Sequence, residues 1–111
     1  MIVVDTSVWI DHLRSNVPEL AAALEQGVVL MHPFVRGELA CDSLKETLPQ
    51  PLTATNNEVM TFIERRSLMG RGIGYIDVHL LASAALTDRA RLWTRDKRLR
   101  TVAEELDLSY E

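Results

Sequence analysis

An α/β fold is predicted by three features of this 111-residue sequence. Short unbroken apolar runs have strand length, the segments between them carry apolar residues at helical spacing, and the two kinds of segment alternate along the chain. Unbroken apolar runs suit strands covered on both faces, as in a parallel sheet. Strands separated by helices make parallel neighbours joined by right-handed crossovers. The expectation is one domain over residues 1–111, a small parallel β-sheet flanked by helices.

Ile2, Val3 and Val4 form the first apolar run, which ends abruptly in Asp5, Thr6 and Ser7. Val8-Trp9-Ile10-Asp11-His12-Leu13-Arg14 then reads as a helix with Thr6 or Ser7 near its cap. Asp5 falls where a buried strand passes into a helix, the edge at which open α/β folds bind ligands. It is equally placed to cap that helix. Pro18 to Glu25 reads as a short helix: Asn16 can cap it, Pro18 suits its first turn, Leu20 and Leu24 lie one turn apart, and Gly27 stops it.

Val28 to Met31 is the second strand-like run, broken by His32-Pro33. Phe34 to Leu44 reads as a helix with Val35, Leu39 and Cys41 inward. Glu38 projects near that apolar face, where a carboxylate needs a partner or a cation, and Asp42 lies one turn further on. The prolines of Leu48-Pro49-Gln50-Pro51-Leu52 disfavour helix. Thr55 or Asn56 can cap a helix from Asn57 to Met69, with Val59, Phe62, Ile63 and Arg66 at helical spacing.

Gly70-Arg71-Gly72-Ile73-Gly74 resembles a phosphate-binding glycine loop only superficially. It lacks the G-x-G-x-x-G spacing and the G-K-[ST] ending and follows no strand directly, so it reads as a flexible turn. Tyr75 to Leu86 is almost wholly apolar, as a buried helix should be, with Asp77 near its start where the helix dipole stabilises a carboxylate. Leu92-Trp93-Thr94 is the third strand-like run and ends in Arg95-Asp96. Leu99, Val102, Ala103 and Leu106 then mark an amphipathic helix with Asp96 as its cap, and Leu108 to Tyr110 suits a short edge strand.

Composition narrows the function. Hydrophobic residues make up 47%, enough for a core without disulfides or metal staples. Cys41, the single cysteine, has no disulfide partner within the chain and reads as a small buried apolar residue. No basic segment followed by an apolar one opens the chain as a signal peptide would. The apolar run from Leu80 to Leu86, interrupted by Ser83, is far short of the roughly 20 residues of a membrane span, so a cytoplasmic protein is expected. The net charge of −4 argues mildly against a nucleic-acid binder, but Arg89, Arg91, Arg95, Lys97, Arg98 and Arg100 crowd one short stretch.

Asp5, Glu38, Asp77 and Asp96 carry the chemistry. Two lie at or just past strand ends, and two lie on helices that must pack near those strands in a chain this small. Carboxylates converging at one edge repel unless a divalent cation sits among them. Oxygen-only ligands favour Mg²⁺ or Mn²⁺ over zinc, and such a site suits phosphoryl chemistry.

The motifs Val4-Asp5-Thr6-Ser7-Val8-Trp9-Ile10-Asp11, Gly37-Glu38-Leu39-Ala40, Gly74-Tyr75-Ile76-Asp77-Val78-His79-Leu80-Leu81-Ala82 and Leu92-Trp93-Thr94-Arg95-Asp96 stand in one order across nearly the whole chain. In that order and context the sequence resembles PIN-domain ribonucleases, specifically the VapC toxins of type II toxin–antitoxin pairs. The resemblance implies a PIN-like fold and a Mg²⁺- or Mn²⁺-dependent endoribonuclease whose acidic quartet is Asp5, Glu38, Asp77 and Asp96. It implies hydrolysis by an activated water, leaving a 5′-phosphate and a 3′-hydroxyl. Asp5, Asp77 and Asp96 would bind metal, and Glu38 would be a ligand or a base. Thr6 or Ser7 would hold a water or a phosphate oxygen, and the basic stretch, Arg95 foremost, would contact RNA. A VapB-type antitoxin and a homodimer are the implied partners. The chain is somewhat short for the family, and its connection from Thr47 to Asn56 is compact.

Two other classes compete. A catalytically inactive PIN-like interaction domain would keep the fold without metal. A phosphoacceptor receiver domain would use Lys97, but it needs adjacent acids after the first strand, where Thr6 follows Asp5, and an aspartate after a middle strand, where His32 follows Met31. His12, His32 and His79 show no metal-ligand spacing, and Trp9 and Trp93 suit core packing or a dimer contact better than base stacking.

Overall fold

The computed structural model describes residues 1–39 and 48–110. Among them are three strands, β1 (Ile2–Val4), β2 (Val29–Leu30) and β3 (Arg91–Trp93). Six helices complete the described elements: α1 (Thr6–Ser15), α2 (Pro18–Glu25), α3 (Pro33–Leu39), α4 (Asn56–Arg65), α5 (Tyr75–Leu86) and α6 (Lys97–Glu105). The sheet is wholly parallel, in the order β2-β1-β3. Ile2 lies opposite Val29 and Arg91, Val3 opposite Leu30 and Leu92, and Val4 opposite Trp93. The central strand is wholly apolar and buried along its length, because it is flanked on both sides and covered on both faces. The expected α/β architecture is borne out, with α5 packed across β1 and β3 and buried from Val78 to Ala84.

Helix ends explain where the elements differ from expectation. Asn16 does not cap α2. It closes α1 at φ +56, its N–H donating to the His12 carbonyl, and Val17 stands at the start of α2 with no side-chain cap. A two-residue link between helices needs a residue that tolerates positive φ, and asparagine does so better than most. The Val17 N–H is met instead by His12 Nδ1 at 3.0 Å. Gly27, at φ +71, ends α2 with paired bonds from the Gly27 N–H to the Leu24 carbonyl and from the Val28 N–H to the Ala23 carbonyl.

The same closure stops α4 at Arg65, short of the expected Met69. Ser67 adopts φ +55, its N–H bonds the Glu64 carbonyl, and the Leu68 N–H bonds the Ile63 carbonyl, which turns Leu68 into the core. It also ends α6, where Asp107 at φ +56 sends the chain back along β3. The Leu92 N–H then donates to the Leu108 carbonyl and the Tyr110 N–H to the Leu92 carbonyl. A single parallel bridge between Leu92 and Ser109 stands where a short edge strand was expected.

Val35 and Leu39 of α3 are buried as expected. The expected continuation to Leu44, with Cys41 and Asp42, lies outside the described residues. Among the described residues no helix is long and apolar enough to cross a membrane.

The start of α4 is closed reciprocally: Thr55 Oγ1 accepts from the Glu58 N–H at 3.1 Å, and Glu58 Oε1 accepts from the Thr55 N–H at 2.8 Å. Thr55→Ala is expected to lower stability by about 1 kcal/mol. The check is a urea unfolding curve with a lower midpoint and an unchanged slope.

Candidate active site

The parallel register brings the C-terminal ends of β1 and β3 to one edge, where the Asp5 N–H still donates to the Trp93 carbonyl at 2.9 Å. The chain then turns straight into a helix at both places, with Asp5 as N-cap of α1 and Asp96 as N-cap of α6. Thr6 and Ser7, expected near the cap, lie inside α1 instead. The helix begins at Thr6, so capping and site placement fall on the one carboxylate.

Asp5 is 8% exposed, and its carboxylate is met by three donors. Oδ1 accepts from the Thr6 N–H at 2.8 Å. Oδ2 accepts from Ser7 Oγ at 2.8 Å and from Thr94 Oγ1 at 2.7 Å. A hydroxyl has one proton, so both then act as acceptors on the far side. Ser7 Oγ takes the Arg95 N–H at 3.1 Å, and Thr94 Oγ1 takes the Asp96 N–H at 3.1 Å. Buried Thr94 therefore joins the side chain of the first acid to the backbone of the fourth. It was absent from the sequence-derived site because Leu92-Trp93-Thr94 reads as strand, whereas β3 ends at Trp93. The available signal was a hydroxyl residue directly after an apolar run and two before an aspartate.

The other three acids each rest on a local donor. Glu38 Oε1 accepts from Thr6 Oγ1 at 2.7 Å, which ties α3 to the first residue of α1. Asp77 Oδ2 accepts from the Gly74 N–H at 3.0 Å. Asp96 Oδ1 accepts from the Arg98 and Leu99 N–H groups at 2.9 and 3.0 Å. The second oxygens, Glu38 Oε2, Asp77 Oδ1 and Asp96 Oδ2, have no hydrogen-bond partner among the described residues.

The acids are close enough to act on one another electrostatically. The Asp77 carboxyl is held above the usual carboxylate range, by burial first. The Gly74 N–H opposes that shift, and the charges of Asp5, Asp96 and Glu38 reinforce it. No cationic side chain is among the groups acting on it. Among the described residues no group of three His, Cys, Asp or Glu side chains is already gathered to hold a metal ion. Each acid is instead turned onto its own N–H or hydroxyl donor. The donor set nonetheless fits a hard divalent cation, since it is all oxygen and three carboxylates keep an uncommitted atom.

The basic stretch is divided by β3. Arg89 and Arg91 lie at the N-terminal edge, opposite the acids: the Met1 amino group donates to the Arg89 carbonyl, and Arg91 reaches the Asp107 carbonyl at 3.0 Å. Both line a cavity of about 480 Å³ there with Met1, Glu19 and Tyr110. Only the part from Arg95 to Arg100 adjoins the acids, so the expected single steering surface is halved. Arg95 is itself engaged, with Nε 2.7 Å from Asp11 Oδ2.

The histidines are structural. Nδ1 of His12 and of His32 accept from the Val17 and Phe34 N–H groups. The His79 ring is packed edge-on between Phe34 and Tyr75, at centroid distances of 4.8 and 4.6 Å. Trp9 and Trp93 are buried, the latter against Tyr110.

Residues 2–105 match the family model described as PIN domain. The chain is 45% identical over 114 aligned positions to Ribonuclease VapC32 of Mycobacterium tuberculosis, strains CDC 1551 / Oshkosh and ATCC 25618 / H37Rv. The alignment covers 95% of this chain and 92% of the relative. No solved structure matches.

Two outcomes follow from this geometry. Thr94→Val leaves Asp5 Oδ2 with Ser7 Oγ alone and strands the Asp96 N–H, at a cost of about 1–3 kcal/mol, while Thr94→Ser, which keeps the hydroxyl, recovers most of it. Chemical unfolding of both variants at pH 7 measures this. His32 is 1% exposed, and burial, then the charge of His79, lower its pKa from 6.5 to about 4. The unfolded chain therefore takes up a proton that the native ring refuses, and stability falls as pH drops from 6.5 toward 4. The loss is about 3 kcal/mol at most. Unfolding free energies at pH 7 and about 4.5 should show it, and His32→Asn, which keeps an acceptor for the Phe34 N–H, should show less.

Proposed function

The chain belongs to the PIN-domain family, and from that premise we propose that it is a Mg²⁺- or Mn²⁺-dependent endoribonuclease, the toxin of a toxin–antitoxin pair. In this reading residues 1–111 act as one nuclease domain, located in the cytoplasm, paired as a homodimer and silenced by a VapB-type antitoxin. The observation that carries it is the state of Asp77: burial first, and then the charges of Asp5, Asp96 and Glu38, raise its pKa, with no cationic side chain among the groups acting on it. Such a cluster is incomplete without a bound cation. The relative named as a ribonuclease, aligned over 92% of its own length, supports the substrate class. Exposed Phe34, Tyr75 and Ile76 on α3 and α5 give an apolar surface that suits a second copy of the chain.

Asp5, Asp77 and Asp96 would hold the cation. When bound, it would offset their mutual repulsion and supply positive charge to the scissile phosphate. Asp5 is pre-set for its part by three donors, so it loses no freedom when the site loads. Glu38 keeps one oxygen on Thr6 and leaves the other to complete the cation's ligands or to take the proton of the attacking water. Phosphodiester hydrolysis would leave a 5′-phosphate and a 3′-hydroxyl.

Asp77→Asn keeps an acceptor for the Gly74 N–H and removes a charge. Because the native pKa of Asp77 is raised, its ionisation destabilises the fold as pH rises through that value, so the variant should be as stable as the parent, or more so, at pH 7. RNA cleavage should fall on the order of 10²-fold or more in Asp77→Asn and Asp5→Asn. Mg²⁺ should raise the melting temperature of the parent and do so less in both variants. Unchanged Mg²⁺-dependent cleavage in the two variants would overturn the site. Expression of the chain alone should arrest growth, and a small antitoxin encoded beside it should relieve the arrest.

A further inference from the structure

The glycine-rich turn from Gly70 to Gly74 has no role in the acid cluster beyond the Gly74 N–H, and it is no phosphate loop. Its middle residue is nonetheless constrained twice. Gly72 sits at φ +77, a conformation L side chains rarely adopt, and a Cβ there would stand 2.9 Å from both Cδ and Nη1 of Arg98 and 3.3 Å from its Nε. The Arg98 side chain therefore lies directly over the Gly72 backbone, in space that only glycine leaves open.

This seat adjoins the segments that carry the third and fourth acids. Arg98 is two residues past Asp96, whose carboxylate holds the Arg98 N–H. Gly72 is two residues before Gly74, whose N–H holds Asp77. The turn is itself clamped to α6 by Arg71, which bonds both carboxylate oxygens of Glu105, at 2.9 and 2.6 Å. The Arg98 side chain thus lies against a turn that is itself held to α6.

Lack of a carboxylate partner, which it shares with Arg100, separates Arg98 from Arg71, Arg91 and Arg95. Arg71 is spent on Glu105, Arg95 on Asp11, and Arg91 on Asp107 at the far edge. Among the described residues Arg98 has no hydrogen-bond or ion-pair partner for its side chain, although its guanidinium is exposed. An acidic site repels a polyanionic strand, and a planar fork of donors at its rim offsets that repulsion and matches two phosphate oxygens at once.

We propose that Arg98, seated on Gly72, is the residue that grips a backbone phosphate of the RNA strand as it enters between Asp77 and Asp96, a part the sequence assigned to Arg95. This deepens the nuclease reading and rests on it.

The test is binding of a 5′-fluorescent single-stranded RNA by anisotropy, with Ca²⁺ in place of Mg²⁺, from about 50 to 200 mM salt. Arg98→Ala should weaken binding severalfold and reduce the slope of log affinity against log salt by about 0.7, the share of one phosphate on a single strand. Arg98→Lys should restore the slope, since the charge remains. Gly72→Ala, which displaces the guanidinium, should behave like Arg98→Ala. If Arg98→Ala lowers only the melting temperature and leaves the slope at the parent value, the side chain merely braces the turn, and the proposal is wrong while the nuclease reading stands. If the parent chain neither binds nor cuts RNA, the underlying reading fails and takes this one with it.

Discussion

The arrangement of the edge depends on how one buried carboxylate is satisfied. Asp5 follows directly from the central strand, so its side chain is almost entirely removed from water. A carboxylate in that position is tolerable only when donors surround it. Here the donors come from the start of α1 and from the residue after β3, and they bind the two strand ends together. The hydroxyls of Ser7 and Thr94 pass the constraint outward, since each accepts the N–H of a residue that starts the approach to α6. The position of Asp96 is therefore set from Asp5, across two elements distant in sequence.

The remaining acids show how a cluster of like charge is kept within a small fold. Three of the four stand at the beginning of a helix, where the dipole and the free N–H groups favour a carboxylate: Asp5 before α1, Asp77 in the first turn of α5, and Asp96 before α6. Glu38 lies inside α3, away from that help, and is held by Thr6 instead. The compensation is local and incomplete. Asp77, half-buried, is raised above the usual carboxylate range by that burial first and still feels the charges of the other three.

Much of this was legible in the sequence. The unbroken apolar run of β1, the apolar length of α5 and the spacing of α6 each follow from burial, and burial is written in side-chain type. Asp5, Asp77 and Asp96 stood out at strand and helix ends, and Glu38 near the apolar face of its helix. Ser67 and Asp107 reverse their helices at positive φ without being glycine, because the next residue, leucine in both cases, gains burial or a backbone partner by turning back. Thr94 was hidden by a one-residue error in a strand boundary, the distance that separates a ladder position from a side chain aimed at the site. The basic stretch misled because neighbours in sequence are not neighbours on a surface. A strand crosses the sheet from one edge to the other, so Arg91 and Arg95 emerge on opposite sides.

The question that Asp5 posed, cap or ligand, proves to be badly divided. At Asp96 the backbone donors occupy Oδ1, and at Asp77 the Gly74 N–H occupies Oδ2, so one oxygen is fixed and the other is left over. Capping then does not compete with binding a cation; it orients the carboxylate that would do so. The parallel sheet makes this general to the fold. Parallel strands all end at one edge, the helices after them begin there, and the residues best suited to begin a helix are those that carry oxygen. An edge rich in carboxylates is thus the cheap outcome of this topology. The four acids become chemically distinctive through their mutual repulsion, which the Gly74 N–H offsets only in part at Asp77.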